Sequence, residues 1–166
     1  MSHVWLPAVA ALGLLVVSAP ARADEQKVPL DKVPKAVLNA VKARFPGAEL
    51  VEAAKETEDG KSVYEVSVKN KGQKIDVTLS SDGAIQLLEK TISAKDLPKT
   101  VAAALEAKYP KAKYEIIEEV IKVQGGREHL EYYEALLVTA DKKKVEVEVA
   151  PDGTIKKTED KKGKDD

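Results

Sequence analysis

The sequence predicts an α+β fold: two tandem repeats of one helix followed by about four antiparallel strands, with the helices on one face of the sheet or sheets. Three observations carry this expectation. Val33-Pro34-Lys35-Ala36-Val37 and Leu97-Pro98-Lys99-Thr100-Val101 open two similar segments, and Phe45-Pro46 and Tyr109-Pro110 end their first parts. Within those parts Val33, Val37, Val41 and Phe45, and again Leu97, Val101, Leu105 and Tyr109, recur every fourth position, which places them on one helical face. Beyond them, apolar and polar residues alternate between Asp-Gly and Asn-x-Gly turns, the pattern of an antiparallel meander. Tyr64-Glu65 matches Tyr133-Glu134, and Asp82-Gly83 matches Asp152-Gly153. These later matches are spaced more widely than the helical ones, so the second copy carries a small insertion. Self-similarity of this kind fixes an architecture before its details.

Residues 1–23 read as a signal peptide. A short apolar run from Leu6 to Val17 is followed by Ala21-Arg22-Ala23, a small-x-small cleavage signature, and charged sequence begins at Asp24. The run falls short of the ~20 apolar residues of a membrane span, so no stable span is expected after cleavage. The first repeat occupies residues 24–93. After a short polar lead comes a helix over residues 33–45, with Asp31 before it and Pro46-Gly47 stopping it. Strands are expected over residues 48–57, 62–69, 74–80 and 84–91, separated by Asp59-Gly60, Asn70-Lys71-Gly72 and Asp82-Gly83. The second repeat occupies residues 94–158. Its helix spans residues 97–109 and its strands about 112–123, 130–139, 143–149 and 154–158. Gln124-Gly125-Gly126-Arg127 enlarges its first hairpin loop, where the insertion falls. Residues 159–166 read as a charged, disordered tail.

Composition excludes several functions. Lys and Arg number 27 and Asp and Glu 28, a net charge of −1, which gives no general attraction for nucleic acid. The chain has no cysteine, so disulfides, thiol chemistry and cysteine-ligated metal are excluded. His129 is the sole histidine after the signal peptide, too few for a zinc site of three or four ligands without help. The Asp-Gly turns lack the spaced oxygen ligands of a calcium loop. No G-x-S-x-G elbow surrounds Ser80-Ser81. No catalytic residue, cofactor or metal is therefore expected, and the chain reads as a non-enzyme.

The residues Val33-Pro34-Lys35-Ala36-Val37, Phe45-Pro46-Gly47-Ala48, Tyr64-Glu65-Val66 and Asp82-Gly83 form one set. Leu97-Pro98-Lys99, Tyr109-Pro110-Lys111-Ala112, Tyr133-Glu134-Ala135 and Asp152-Gly153 form a second. Together they resemble the PepSY-like family, also described as beta-lactamase-inhibitor-like, over roughly residues 28–158. The resemblance implies an exported fold with a concave sheet and a non-catalytic binding role, including restraint of an exported enzyme. The chain lacks the cysteines expected of true beta-lactamase inhibitor proteins, and no motif matches an inhibitory loop.

A helix covers only one face of a sheet. Aligning Tyr133 with Tyr64 places Tyr133, Ala135 and Leu137 under the second helix. The opposite face then shows Tyr132, Glu134, Leu136 and Val138, where the first copy shows Glu65, Ser67 and Lys69. Lys144, Glu146 and Glu148 supply a polar rim. These seven residues are the candidate partner-binding site. The expected protein is an exported binding module, periplasmic or secreted, that uses this face against a protein or peptide. The alternative is a small-ligand or envelope-stress sensing domain of the same fold, binding between the copies. A carboxylate hydrolase ranks third.

Overall fold

The computed structural model describes residues 26–58 and 60–161. The signal-peptide expectation and the last residues of the charged tail lie outside them. The strands are β1 (Gln26–Lys27), β2 (Glu49–Glu58), β3 (Lys61–Asn70), β4 (Gln73–Ser80), β5 (Ile85–Thr91), β6 (Lys113–Gln124), β7 (Arg127–Val138), β8 (Lys144–Val149) and β9 (Ile155–Lys161). Two helices, α1 (Lys35–Arg44) and α2 (Lys99–Lys108), interrupt the series before β2 and before β6.

The fold class expected from the sequence is corrected here. All nine strands of the described residues form one antiparallel sheet in sequence order, β1 to β9, rather than two repeats of a helix with four strands. The seam is made by β5 and β6, which pair from Leu87↔Lys122 to Thr91↔Glu118. Ile92 N–H extends the seam by donating to the Ile117 carbonyl at 2.8 Å. An unpaired strand edge exposes backbone donors and acceptors, and joining the two edges removes both. At the start of the described residues β1 adds a ninth strand, pairing Gln26↔Lys55 and Lys27↔Ala54.

Each helix begins two residues later than its periodicity suggests. Val33 and Leu97 have extended backbone (ψ 139° and 135°) and follow short 3-10 turns at Leu30–Lys32 and Ala94–Asp96. The following proline disfavours helical geometry for the residue before it. Val33 and Leu97 are buried all the same. Both helices end on an aromatic residue, and the Phe45 and Tyr109 N–H groups donate to the Val41 and Leu105 carbonyls.

Both helices pack on the same face of the sheet. Val37 and Val41 of α1 meet Val66, Val68, Ile75, Val77, Leu79 and Leu88 in one core. Val101 and Leu105 of α2 meet Ile117, Tyr133, Ala135, Leu137, Val145 and Val147 in the other. The odd-numbered residues of β6 serve both: Ile117 lies in the second core and Ile121 in the first.

The insertion lengthens strands rather than a loop. Gln124 pairs with Arg127 around a two-residue Gly125-Gly126 turn, so β6 and β7 reach 12 residues each. The extended hairpin reaches the first core through Ile121 and Val123. Its tip is tied to α1 and β5 by Glu128, which pairs with Arg44 and, at 3.7 Å, with Lys90. The hydrogen bond from Arg44 holds the Glu128 carboxyl below its usual pKa, burial opposes this, and the Lys90 charge adds to it. A depressed folded-state pKa contributes stability above the unfolded value, lost as pH falls through the folded one. Because both partners are more than a third exposed, the pair is worth at most about 1 kcal/mol. Glu128→Gln should therefore lower the melting temperature slightly at neutral pH. The two melting curves should begin to approach each other as pH falls through the ordinary carboxylate range, ~4, and should meet only below it.

At the other end, β9 runs to Lys161, so residues 159–161 complete a strand and do not begin the tail. Lys161 lies 2.8 Å from Glu146 and Lys157 3.8 Å from Glu148, both on β8.

Candidate binding face on the uncovered side of the sheet

Period-two alternation sends every second residue of each strand away from the helices, and the register shows which of these become neighbours. Ser67, Asp76, Glu89, Val120 and Tyr132 stand in one continuous row across β3 to β7. Thr91, Glu118, Glu134, Glu148 and Lys157 form the next row, across β5 to β9. Ile116, Leu136, Glu146 and Glu159 form the third. No helix of the described residues lies on this face. Yet Ala54, Val63, Ser67, Asp76, Glu89 and Val120 are buried there, and none of them belongs to either helix-packed core. Asp76 and Glu89 sit in a hollow of this face.

This hollow is acidic. Glu65, Asp76, Glu89, Glu118, Glu134 and Glu146 line it with Ile116, Leu136 and a single lysine, Lys74. It continues through Glu65 and Glu89 into a second hollow that adds Glu56, Thr78, Leu87, Lys122 and Glu131. Like charges directly opposite on neighbouring strands destabilise a sheet, and Glu118, Glu134 and Glu148 are such neighbours. Local donors moderate the cost. Ser67 Oγ donates to Asp76 Oδ1 at 2.5 Å, Lys74 Nζ lies 2.7 Å from Asp76 Oδ2, and Thr91 Oγ1 donates to Glu118 Oε1 at 3.2 Å. Burial acts to lower the Lys74 pKa, but the hydrogen bond and charge of Asp76, with Glu118 and Glu65, outweigh it and raise it.

Tyr132 ends the first of these rows, on β7. Burial pushes its phenol pKa far up, and the charges of Glu148, Glu134, Glu89 and Glu131 push it further. The hydroxyl therefore stays protonated at neutral pH. Lys156 Nζ lies 5.2 Å from the ring centroid, within cation–π range.

All seven candidate residues share this face. Tyr132, Glu134, Leu136 and Val138 on β7 are half-buried, as are Glu146 and Glu148 on β8, while Lys144 is exposed. Tyr133, Ala135 and Leu137 lie beneath α2. Sequence reasoning placed Glu65 on this face but missed that it joins Asp76 and Glu89 in the same hollow as the second half, which they reach because the sheet is continuous. The available signal was that Asp76 and Glu89 occupy positions that alternate with Ile75, Val77 and Leu88.

His129 is exposed on β7 opposite Lys122. Among the described residues no three His, Asp or Glu side chains are grouped so as to hold a metal ion. Among them too, no helix is long and apolar enough to cross a membrane.

Fold and face together define a helix-backed antiparallel sheet domain with an acidic, partly aromatic open side. Residues 34–82 match the PepSY family, described as "Peptidase propeptide and YPEB domain". Residues 81–157 match "Putative beta-lactamase-inhibitor-like, PepSY-like". The chain belongs to the PepSY and PepSY-like families through two adjacent domains, one of each, in tandem.

Several solved structures share the fold. A DUF2874 family protein from Bacteroides uniformis matches at 17% identity over 76% of this chain and 88% of its own, with a TM-score of 0.61. A protein from Bacteroides eggerthii, described as a putative periplasmic protein, matches at 15% identity over 77% and 88%, with a TM-score of 0.62. A BLIP-like protein from Bacteroides fragilis matches at 17% identity over 84% and 92%, with a TM-score of 0.58. No curated protein matches this chain.

Proposed function

We propose that this chain is an exported, non-catalytic binding module, periplasmic or secreted, whose uncovered sheet face takes a protein or peptide, including an exported enzyme that it restrains. Residues 1–23 direct export and are removed, and residues 24–93 and 94–158 together present one surface. The observation that carries this reading is the open hollow, in which Ile116 and Leu136 stand among Glu89, Glu118, Glu134 and Glu146, with Tyr132 in an adjoining row of the same face. An aromatic anchor with aliphatic neighbours and a polar surround is the composition of an interface centre. The excess of carboxylates suits a partner segment bearing lysine or arginine beside an apolar residue. Similarity to inhibitor-like domains supports the same reading.

The test is capture from an envelope extract with the mature chain as bait. Tyr132→Ser combined with Leu136→Ser should keep the melting curve cooperative. It should also reduce retention of a stoichiometric protein partner at least about tenfold, as truncating an interface centre does. Retention by the wild-type chain should fall as salt rises from 0.1 to ~1 M, because the Debye length drops from about 10 Å to 3 Å. Undiminished capture by the double variant would overturn the assignment to this face. Unfolding of that variant would show that both residues serve the core.

A further inference from the structure

The two edges of the sheet are unlike. At one end the two-residue β1 covers β2 only at Ala54 and Lys55. At the other, six of the seven residues of β9 pair with β8 alone among the described strands, and Lys156 is bulged out of the register. Edge strands usually protect themselves with charge, lysine above all, because like charges repel an incoming strand. The charges on β9 do not form such a barrier. They run Lys156-Lys157-Thr158-Glu159-Asp160-Lys161, and between residues 156 and 160 the sign inverts about Thr158.

We infer that β9 is a self-complementary edge through which two copies of this chain pair antiparallel about Thr158, joining their sheets. This register sets Lys157 opposite Glu159 of the second copy. The two-fold axis makes each contact twice. Moving the centre to residue 157 or 159 would set Lys157 or Glu159 against itself, and a parallel, in-register arrangement would oppose like charges throughout. Lys156, Thr158 and Asp160 are exposed. Lys157 and Glu159, already 2.6 Å apart within the chain, share the side of β9 that faces away from the helices. Pairing would turn that single contact into an alternating row across the axis. A seven-residue strand buries little surface, which places the contact among weak interfaces, with a dissociation constant on the order of 100 μM. The binding face stays open in such a dimer, so this inference stands independently of the proposed function.

The chain has no cysteine, so one introduced thiol reports one position. Directly opposed residues on antiparallel strands have Cα atoms about 4.5–5.5 Å apart, within disulfide reach. At ~200 μM in a glutathione redox buffer, Thr158→Cys should form a covalent dimer at least about tenfold faster than Thr154→Cys, whose symmetry mate lies several residues away. Adding Lys156→Glu and Lys157→Glu should abolish the advantage of Thr158→Cys, as should adding Glu159→Lys and Asp160→Lys. Mixing the two charge variants should restore it as a mixed dimer. Equal rates at positions 158 and 154 would overturn the proposal. So would either charge variant alone cross-linking as fast as its parent. The comparison of positions 158 and 154 decides the matter even where a charge variant does not fold.

Discussion

Leu88→Ala is expected to destabilise the protein by about 3 kcal/mol, within the roughly 2–5 kcal/mol range of buried leucine truncations. Leu88 is fully buried on β5, the last strand before the seam. Its direct neighbours are Val77 on β4 and Ile121 on β6, and all three belong to the first core. Removing the side chain leaves a cavity bordered by both halves of the chain, and neither can close it without moving the sheet. The consequence reaches beyond a lowered midpoint. A continuous sheet should unfold as one cooperative unit, so circular dichroism and tyrosine fluorescence should report coincident transitions in urea. The fluorescence is informative because Tyr109, Tyr114, Tyr132 and Tyr133 lie in the second half and only Tyr64 in the first. A substitution in the first core should thus shift a signal arising almost wholly from the second. If the fluorescence midpoint stayed fixed while the dichroism shifted, the seam would not couple the halves.

This coupling was the part of the fold that the sequence did not show. The four-residue spacing of Val33, Val37, Val41 and Phe45 marks a helix because each turn repeats locally. The alternation of Ile75, Val77 and Leu79 marks a strand for the same reason. Alternation assigns a residue to a face but says nothing about which strand lies beside it. The pairing of Glu89 with Val120 across the seam therefore had no local signature. The acidic hollow was hidden by the same gap. Lysine and glutamate balance along the chain, yet the register gathers Asp76, Glu89, Glu118 and Glu134 on one surface with Lys74. The seven candidate residues were placed on that surface because they all lie on one hairpin, where neighbours in space are neighbours in sequence. The end of β9 failed to appear as a strand for the opposite reason. Its run of charge resembles a solvated tail, and the partners that order Lys157 and Lys161, Glu148 and Glu146, come from β8.

Gly83→Ala and Gly153→Ala are each expected to cost about 2–4 kcal/mol, from a strained backbone and a collision that cannot be relieved by side-chain rotation. Both residues have positive φ, +90° and +91°. A Cβ on Gly83 would stand 2.7 Å from the Ala36 carbonyl oxygen of α1, and one on Gly153 would stand 2.8 Å from the Thr100 carbonyl oxygen of α2. Each Asp-Gly turn thus lies against the first turn of a helix. At the second, Thr100 Oγ1 donates to the Pro151 carbonyl at 2.9 Å and fixes the approach. Gly72 separates the two causes: its φ is +89° but nothing lies within 4 Å of its missing Cβ. Gly72→Ala should therefore cost only about 1 kcal/mol, the backbone part alone, as read from urea midpoints of all three variants. The same comparison bears on function. The helices and their turns occupy the side of the sheet away from Tyr132, so Gly153→Ala should leave the affinity of the folded fraction unchanged while lowering that fraction. Tyr132→Ser with Leu136→Ser should do the reverse. If instead Gly153→Ala weakened binding well below its melting temperature, the recognition surface would have to include the helical side, and the open face could not be the whole site.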